Sequence, residues 1–145
     1  MKHETSPEDL AFRRKFESGE VAPAQFDHRS HVRLAYVYLV EGSPDEATDS
    51  MRRALQGFLE RNGVPSTKYH ETLTRAWILA VRHFMERSPG TASAGDLIAR
   101  RPELLDSRIM MTHYSASILF SDEARATFVE PDTSPIPRYP TRGEP

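Results

Sequence analysis

The sequence predicts an all-α fold: a compact bundle of four main helices, several short helical pieces and an extended, proline-rich C-terminal tail. Apolar residues recur at helical spacing in four long segments, and each segment follows a residue type that caps helices. The apolar–polar alternation typical of β-strands is missing. Five of the 11 prolines stand at or beyond position 131, where they exclude regular structure. We therefore expect one helical domain over residues 1–130 and an extended tail over residues 131–145.

The first two helices have clear boundaries in the sequence. Ser6 can cap the first helix, Pro7 suits its first position, and Gly19 ends it. Asp27 can cap the second helix, which ends at Gly42. One face of the second helix carries six residues at helical spacing: His28, His31, Val32, Ala35, Tyr38 and Leu39. Because most of this face is apolar, we expect the second helix to lie at the centre of the bundle.

The third and fourth helices follow after short links. Ser43 and Glu46 form a capping-box pattern, and the apolar stripe that begins there continues to Asn62. The fourth helix is predicted to run from about Thr67 to Arg87, where the sequence Ser-Pro-Gly closes it. Counted at ~100° per residue, its inward face contains six residues: His70, Leu73, Thr74, Trp77, Val81 and Phe84.

The remaining helical pieces are shorter. Ser93 can cap one segment, and Pro102 is predicted to start another that ends near His113. Ser115 and Ser121 can each cap one more short helix. Because short links favour antiparallel neighbours, the second and fourth helices are expected to run parallel to each other.

Composition narrows the classes of function. A net charge of −2 gives no broad attraction to nucleic acid or to an anionic membrane surface, so neither partner is expected. No apolar run approaches the roughly 20 residues of a membrane-spanning helix, and residues 1–6 lack the apolar core of a signal peptide, so a cytoplasmic location is predicted. Since cysteine is absent from the sequence, any strong metal site must use histidine, aspartate or glutamate.

Four histidines are predicted to meet at one end of the bundle. His28 and His31 lie in the first turn of the second helix, at a spacing that lets two side chains reach one ion. His70 lies in the first turn of the parallel fourth helix, and His113 returns to the same end on an antiparallel segment. Imidazolium is disfavoured near a helix N-terminus, so the neutral, metal-binding form is expected. Nitrogen ligands favour a divalent transition metal such as zinc, iron, nickel or manganese.

The two residues beside His70 are candidates for catalysis. Glu71 could bind the metal, orient an imidazole or act as a general base on metal-bound water, and Tyr69 lies on the rim, where it could contact substrate. The alternative is that Glu71 and the histidines have structural roles only. Glu71 is an acid in a first helical turn, where the helix dipole stabilises it, and a histidine on an apolar face is often bonded to a carbonyl or hydroxyl oxygen.

Three classes of function are consistent with these residues. The leading hypothesis is a small metal-dependent enzyme, of hydrolase or oxygenase type, that acts on a small-molecule substrate. The first alternative is a metal-free lyase or isomerase in which a neutral histidine and Glu71 divide the acid and base roles. The second alternative is a non-catalytic binding module, a homodimer in which residues 131–145 pack across the partner subunit. Metal content tests the first class, and removal of the tail tests the third.

Overall fold

The computed structural model describes residues 2–139, and the regular secondary structure of that range is helical. It contains seven α-helices: α1 Pro7–Glu17, α2 His28–Glu41, α3 Pro44–Arg61, α4 Glu71–Glu86, α5 Ala94–Arg100, α6 Ala116–Leu119 and α7 Asp122–Ala126. Four 3₁₀ helices lie between them: Pro23–Gln25, Ser66–Lys68, Pro102–Leu105 and Ser107–Thr112. The predicted all-α fold, with four main helices and several shorter pieces, is confirmed. Every helix in residues 2–139 is too short or too polar to cross a bilayer.

Helices α2, α3 and α4 pack against one another, and α1 covers α2 and α3. Leu34 and Ala35 of α2 are 0% exposed, as are Ile78 and Val81 of α4 and Phe16 of α1. These side chains belong to one apolar core. Burying one large aliphatic side chain stabilises a fold by about 1.5–3 kcal/mol. Because the helices share this core, their packing also sets the relative positions of their ends. The second helix is central, as its apolar face predicts.

The starts of α1, α2 and α3 are set by local side-chain caps, as the sequence predicts. The side-chain oxygens of Ser6, Asp27 and Ser43 each accept the backbone N–H three residues further on, at 2.9–3.1 Å. Each bond satisfies a donor that the first turn of a helix leaves free. Gly19 follows α1 with φ 86°, a conformation that glycine adopts without the steric penalty of a Cβ atom.

The fourth helix begins later than predicted. It starts at Glu71 rather than near Thr67, because Ser66–Lys68 forms a separate 3₁₀ turn. His70 has an extended backbone, with φ −132° and ψ 105°, and caps α4 by accepting the N–H of Leu73. The predicted position of His70 inside the helix is therefore wrong by one residue, although its side chain is buried as expected.

The helix predicted from Pro102 to His113 is not formed. This segment folds into the two 3₁₀ helices Pro102–Leu105 and Ser107–Thr112. Asp106 divides them, because its carboxylate accepts the backbone N–H of Arg108 at 3.0 Å and so begins a new turn. The segment therefore follows a different path from the straight antiparallel helix that the prediction requires.

Both ends of the described chain pack on the bundle. Near the N-terminus, the His3 side chain is 6% exposed and its Nδ1 lies 2.7 Å from Oγ1 of Thr91. Residues 131–139 contain neither helix nor strand, as expected. Ile136 nevertheless reaches the core and is only 5% exposed, so the tail contributes to the packed body. Residues 140–145 of the predicted tail lie outside the described chain.

Candidate functional site

The structure does not bring the four predicted metal ligands together. In residues 2–139, no three histidine, aspartate or glutamate side chains are arranged so that they could hold a metal ion. His28 and His31 are neighbours, with ring centroids 6.4 Å apart and planes at 75°. His70 and His113 each bind a backbone carbonyl in another part of the molecule.

His70 is a structural hydrogen-bonding residue. Its Nδ1 accepts the N–H of Leu73 at 3.1 Å, and its Nε2 donates to the carbonyl oxygen of Leu119 at 2.8 Å. Together the two bonds require the neutral tautomer with the proton on Nε2. Burial lowers the pKa of His70, which favours the same neutral form. With both ring nitrogens engaged, His70 has no free lone pair for a metal, so the structure favours the alternative of a core histidine.

His28 and His31 form a pair at the start of α2. His28 donates from Nε2 to the carbonyl of Leu104 at 2.9 Å, and its ring lies 4.5 Å from the ring of Trp77. His31 is half-buried beside Phe26, but its Nε2 is sealed from solvent and has no hydrogen-bond partner among the described residues. Burial, and to a smaller extent His28, lowers the pKa of His31 to about 4. His31 is therefore neutral at pH 7.

His113 binds the tail rather than the other predicted ligands. Its Nδ1 donates to the carbonyl of Ser134 at 2.8 Å, and its own carbonyl accepts the N–H of Thr133 at 2.9 Å. Burial lowers the pKa of the nearby His83, and the charges of Arg87 and Arg101 lower it further. Because the preceding residues form 3₁₀ turns, no straight helix carries His113 to the start of α2.

Glu71 and Tyr69, the two predicted catalytic residues, belong to an ion-pair network. Arg52 of α3 donates to both carboxylate oxygens of Glu71, at 2.9 and 2.6 Å, and the Tyr69 hydroxyl donates to one of them at 2.7 Å. Arg52 also donates to Asp49 at 2.7 Å. The bond to Arg52 holds the pKa of Glu71 below its usual range, and burial raises the pKa of Tyr69 to about 12. Glu71 is thus an ionised, fully bonded carboxylate and Tyr69 a protonated phenol.

A groove of about 760 Å³ lies beside this network. Its walls come from α3, the 3₁₀ turn Ser66–Lys68, the start of α4, and α7 with the residues after it. Asp122 and Arg125 of α7 line the groove, and neither makes an ion pair within residues 2–139. The spacing of the two residues permits a surface pair. Instead, Arg125 donates to the carbonyl of Thr67 at 3.1 Å.

Sequence patterns miss a buried carboxylate at Asp9. This residue is 1% exposed and sits at the third position of α1, where it completes the capping box with Ser6. It also accepts Nε of Arg33 at 2.9 Å and the backbone N–H of Ala94 at 3.0 Å. The capping box is visible in the sequence, but the partners from α2 and α5 lie 24 and 85 residues away. Asp9 therefore ties three elements together.

Fold and site together define a small helical protein with an open groove beside an Arg52–Glu71–Tyr69 hydrogen-bond network. Comparison of this chain with family models, curated proteins and solved structures found no match.

Proposed function

We propose that this protein binds a small zwitterionic molecule in the groove beside Tyr69 and Glu71. The observation that carries the proposal is the pair of unneutralised charges on α7, the Arg125 guanidinium and the Asp122 carboxylate, which line the same groove. Arg125 suits a ligand carboxylate, because a guanidinium presents several donors in a planar fork. Asp122 suits a ligand ammonium group. A molecule with one charge of each sign uses both.

The groove also offers partners for an uncharged part of the ligand. Its volume of about 760 Å³ falls within the range of roughly 300–1,000 Å³ that small-molecule sites occupy. Phe128 supplies an apolar wall, and Ser66 and Thr67 contribute hydroxyl groups. An amino acid or a similar small zwitterion fits this combination of surfaces.

A binding role explains the state of the two predicted catalytic residues better than catalysis does. A general base must have a lone pair within reach of a substrate proton and a pKa near the working pH. Glu71 has both carboxylate oxygens bonded, and Arg52 lowers its pKa. We infer that these residues form a rigid wall of the groove, because the Tyr69–Glu71–Arg52 network holds the start of α4 against α3.

Ligand-observed NMR with the standard amino acids tests the proposal, followed by calorimetry on the ones that bind. We expect saturable binding by the wild type. Arg125→Gln and Asp122→Asn should each weaken it by about tenfold or more, since each removes one charge-assisted interaction. Glu123→Gln is the matched control, because Glu123 is an exposed acid of α7 outside the groove lining.

Two results would overturn the proposal. The first is the lack of saturable binding to any amino acid. The second is binding that all three variants retain at wild-type strength, because the ligand would then occupy another surface.

Metal-dependent catalysis and the metal-free lyase or isomerase stay predictions from the sequence. Of the four predicted ligands, His31 has a free ring nitrogen, while His70 would have to break two hydrogen bonds to bind a metal. Elemental analysis for zinc, iron, nickel and manganese, on wild type and His31→Phe, tests the metal prediction directly. Activity after exhaustive chelation would support the metal-free alternative.

A further inference from the structure

The end of α3 carries an asparagine followed by a glycine, Asn62 and Gly63. Asn62 is the one asparagine in the sequence, and both residues are exposed. Asparagine is a thermolabile residue, because the backbone nitrogen of the next residue can attack its side-chain carbonyl carbon. Glycine hinders this attack least, since it has no side chain. The sequence therefore favours a covalent change at this one position.

The structure holds the pair in a Schellman turn. Gly63 has φ 66°, its N–H donates to the carbonyl of Glu60 at 3.2 Å, and the N–H of Val64 donates to the carbonyl of Leu59 at 2.9 Å. These two bonds and the left-handed glycine define the motif. A Cβ atom at position 63 would meet nothing within 4 Å beyond its chain neighbours, so the turn faces open space.

Both reacting groups are restrained in this turn. The Asn62 side chain donates from Nδ2 to the carbonyl of Phe58 at 2.8 Å, and the Gly63 N–H is engaged by Glu60. The ψ angle of Asn62 is 9°, so the Gly63 nitrogen nearly eclipses the Asn62 backbone nitrogen and lies away from the Asn62 side chain. Attack requires that nitrogen to lie beside Cβ. The turn must therefore open before the two groups can react.

One contact from outside the turn limits its opening. Arg61, the last residue of α3, donates from a guanidinium nitrogen to the carbonyl of Phe16 at 3.2 Å. Its side chain also lies against Gly19, where an added Cβ would come within 2.8 Å of the Arg61 Nε. Helix ends are the places where local opening costs least. The turn can therefore open while the bundle stays folded, and Arg61 reduces how often it does.

We propose that Asn62 is a site of spontaneous deamidation whose rate is set by local opening of this turn. In the open turn the Gly63 nitrogen loses its proton and forms a bond to Cγ of Asn62. The bond from Cγ to Nδ2 breaks, and the nitrogen leaves as ammonia with the proton. Water then opens the five-membered imide at either carbonyl and gives aspartate or isoaspartate.

The modification changes the end of α3. Either product has a carboxylate in place of the amide, so the Phe58 carbonyl loses the Nδ2 donor. The new negative charge lies at a helix C-terminus, where the helix dipole disfavours it. Isoaspartate also lengthens the main chain by one CH₂ group. Asn62 and Gly63 do not line the zwitterion groove, so this inference does not depend on amino-acid binding.

Peptide mass spectrometry of the full chain, aged in buffer and in urea, tests the proposal. The mass gain from replacing NH₂ by OH is expected in the peptide that contains Asn62, with isoaspartate detected by enzymatic methylation. The rate should rise from pH 7 to pH 8, because the attacking nitrogen must lose its proton. The folded chain should react about ten- to a hundredfold more slowly than the chain in urea, since the turn must open first.

Three variants show whether the opening is local, each judged by the ratio of its rate in buffer to its rate in urea. Arg61→Gln removes the bond to Phe16 and should raise this ratio about two- to tenfold, the net effect of one hydrogen bond. Arg53→Gln, at an exposed arginine about two turns earlier in α3, is the matched control and should leave it unchanged. Asp9→Ala loosens the contacts of α1 with α2 and α5, and should also leave it unchanged.

Three results would overturn the proposal. The first is no mass gain at Asn62 in folded protein aged for about a hundred half-lives of the urea sample. The second is an equal rate in buffer and in urea, because the turn would then give no protection. The third is an increase with Asp9→Ala as large as that with Arg61→Gln, because the reaction would then require unfolding of the whole bundle.

Discussion

At the scale of single residues, the His70 imidazole has two structural roles. It caps α4 through Nδ1 and holds the end of α6 through its bond to the Leu119 carbonyl. We expect His70→Ala to lower the free energy of unfolding by about 2–3 kcal/mol, because the cap is lost and a buried carbonyl is left without a donor. Urea denaturation followed by circular dichroism measures the change.

His70→Asn serves as the matched control for this prediction. Asparagine is a good N-cap residue but is too short to reach both Leu73 and Leu119, so it should recover part of the loss. Metal content measured on the same variants separates the two roles of His70. If the His70 variants lose a bound transition metal but keep nearly the stability of the wild type, the structural role is contradicted and His70 is a metal ligand, as the sequence predicts.

His31 makes stability depend on pH. Its folded-state pKa of about 4 lies below the ordinary value of 6.5. Between these two values the unfolded chain binds a proton that the folded chain does not, so stability is highest above pH 6.5 and falls as the pH decreases towards 4. The full difference corresponds to no more than about 3 kcal/mol. Burial also lowers the pKa values of His70 and His83, which adds to the same trend.

His31→Phe tests this assignment. The ring keeps its contact with Phe26, while the titrating group and the buried nitrogen without a partner are both removed. We expect equal or slightly higher stability at pH 7, by about 1 kcal/mol, and a much smaller loss between pH 6.5 and 4. Chemical denaturation at several pH values gives both numbers. An unchanged slope would show that other groups cause the acid sensitivity.

The sequence predicts the environment of these histidines better than their partners. The apolar face of the fourth helix indicates that His70 is buried, and the helix start indicates that His31 is neutral. Their bonding cannot be derived in the same way. The carbonyls that bind His28 and His70 belong to Leu104 and Leu119, which are 76 and 49 residues away in the chain.

At the scale of elements, the Asp9 carboxylate joins α1 to α2 and α5. It is buried and accepts hydrogen bonds from Arg33 and Ala94 as well as from its own cap. We expect Asp9→Ala to lower the free energy of unfolding by about 2–3 kcal/mol, since several charge-assisted bonds are lost together. Glu8→Ala is the matched control, because Glu8 is an exposed acid in the same first turn. Equal effects of the two changes in thermal and urea unfolding would contradict a special role for Asp9.

Helix starts were predictable where the capping interaction is local. The caps at Ser6, Asp27 and Ser43 each join residues three positions apart, so the sequence contains both partners. The segment after Pro102 was not predictable in this way. Its apolar spacing suits one helix, but Asp106 bonds to the N–H of Arg108 and divides it into two 3₁₀ helices.

At the scale of the whole molecule, the four predicted ligands stay apart because His70 and His113 are each bonded to a carbonyl elsewhere in the fold. The four-histidine prediction needs a straight antiparallel segment that returns His113 to the start of α2. The observed 3₁₀ helices lead His113 to the tail instead, where it binds Ser134. The groove beside Tyr69 and Glu71 also depends on Arg52, which α3 supplies, and on Asp122 and Arg125, which α7 supplies. Only tertiary structure shows that these charges share one surface.

The tail provides the test at this scale, because a homodimer with a shared tail is one of the predicted alternatives. In the structure the tail docks on its own chain: Ile136 enters the core, and the Tyr139 hydroxyl bonds Nδ1 of His83 at 2.7 Å. Removing residues 131–145 should therefore lower the free energy of unfolding by about 2–4 kcal/mol, through lost apolar burial and hydrogen bonds. Ile136→Ala should reproduce much of this loss, and Thr133→Ala, at an exposed tail position, should not.

Size-exclusion chromatography with light scattering, run beside the unfolding measurements, distinguishes a tail that packs on its own chain from a tail that packs across a partner subunit. If the tail serves its own chain, truncation changes stability and leaves the molecular mass per particle the same. A full-length dimer that becomes an equally stable monomer on truncation would show instead that the tail packs across a partner subunit.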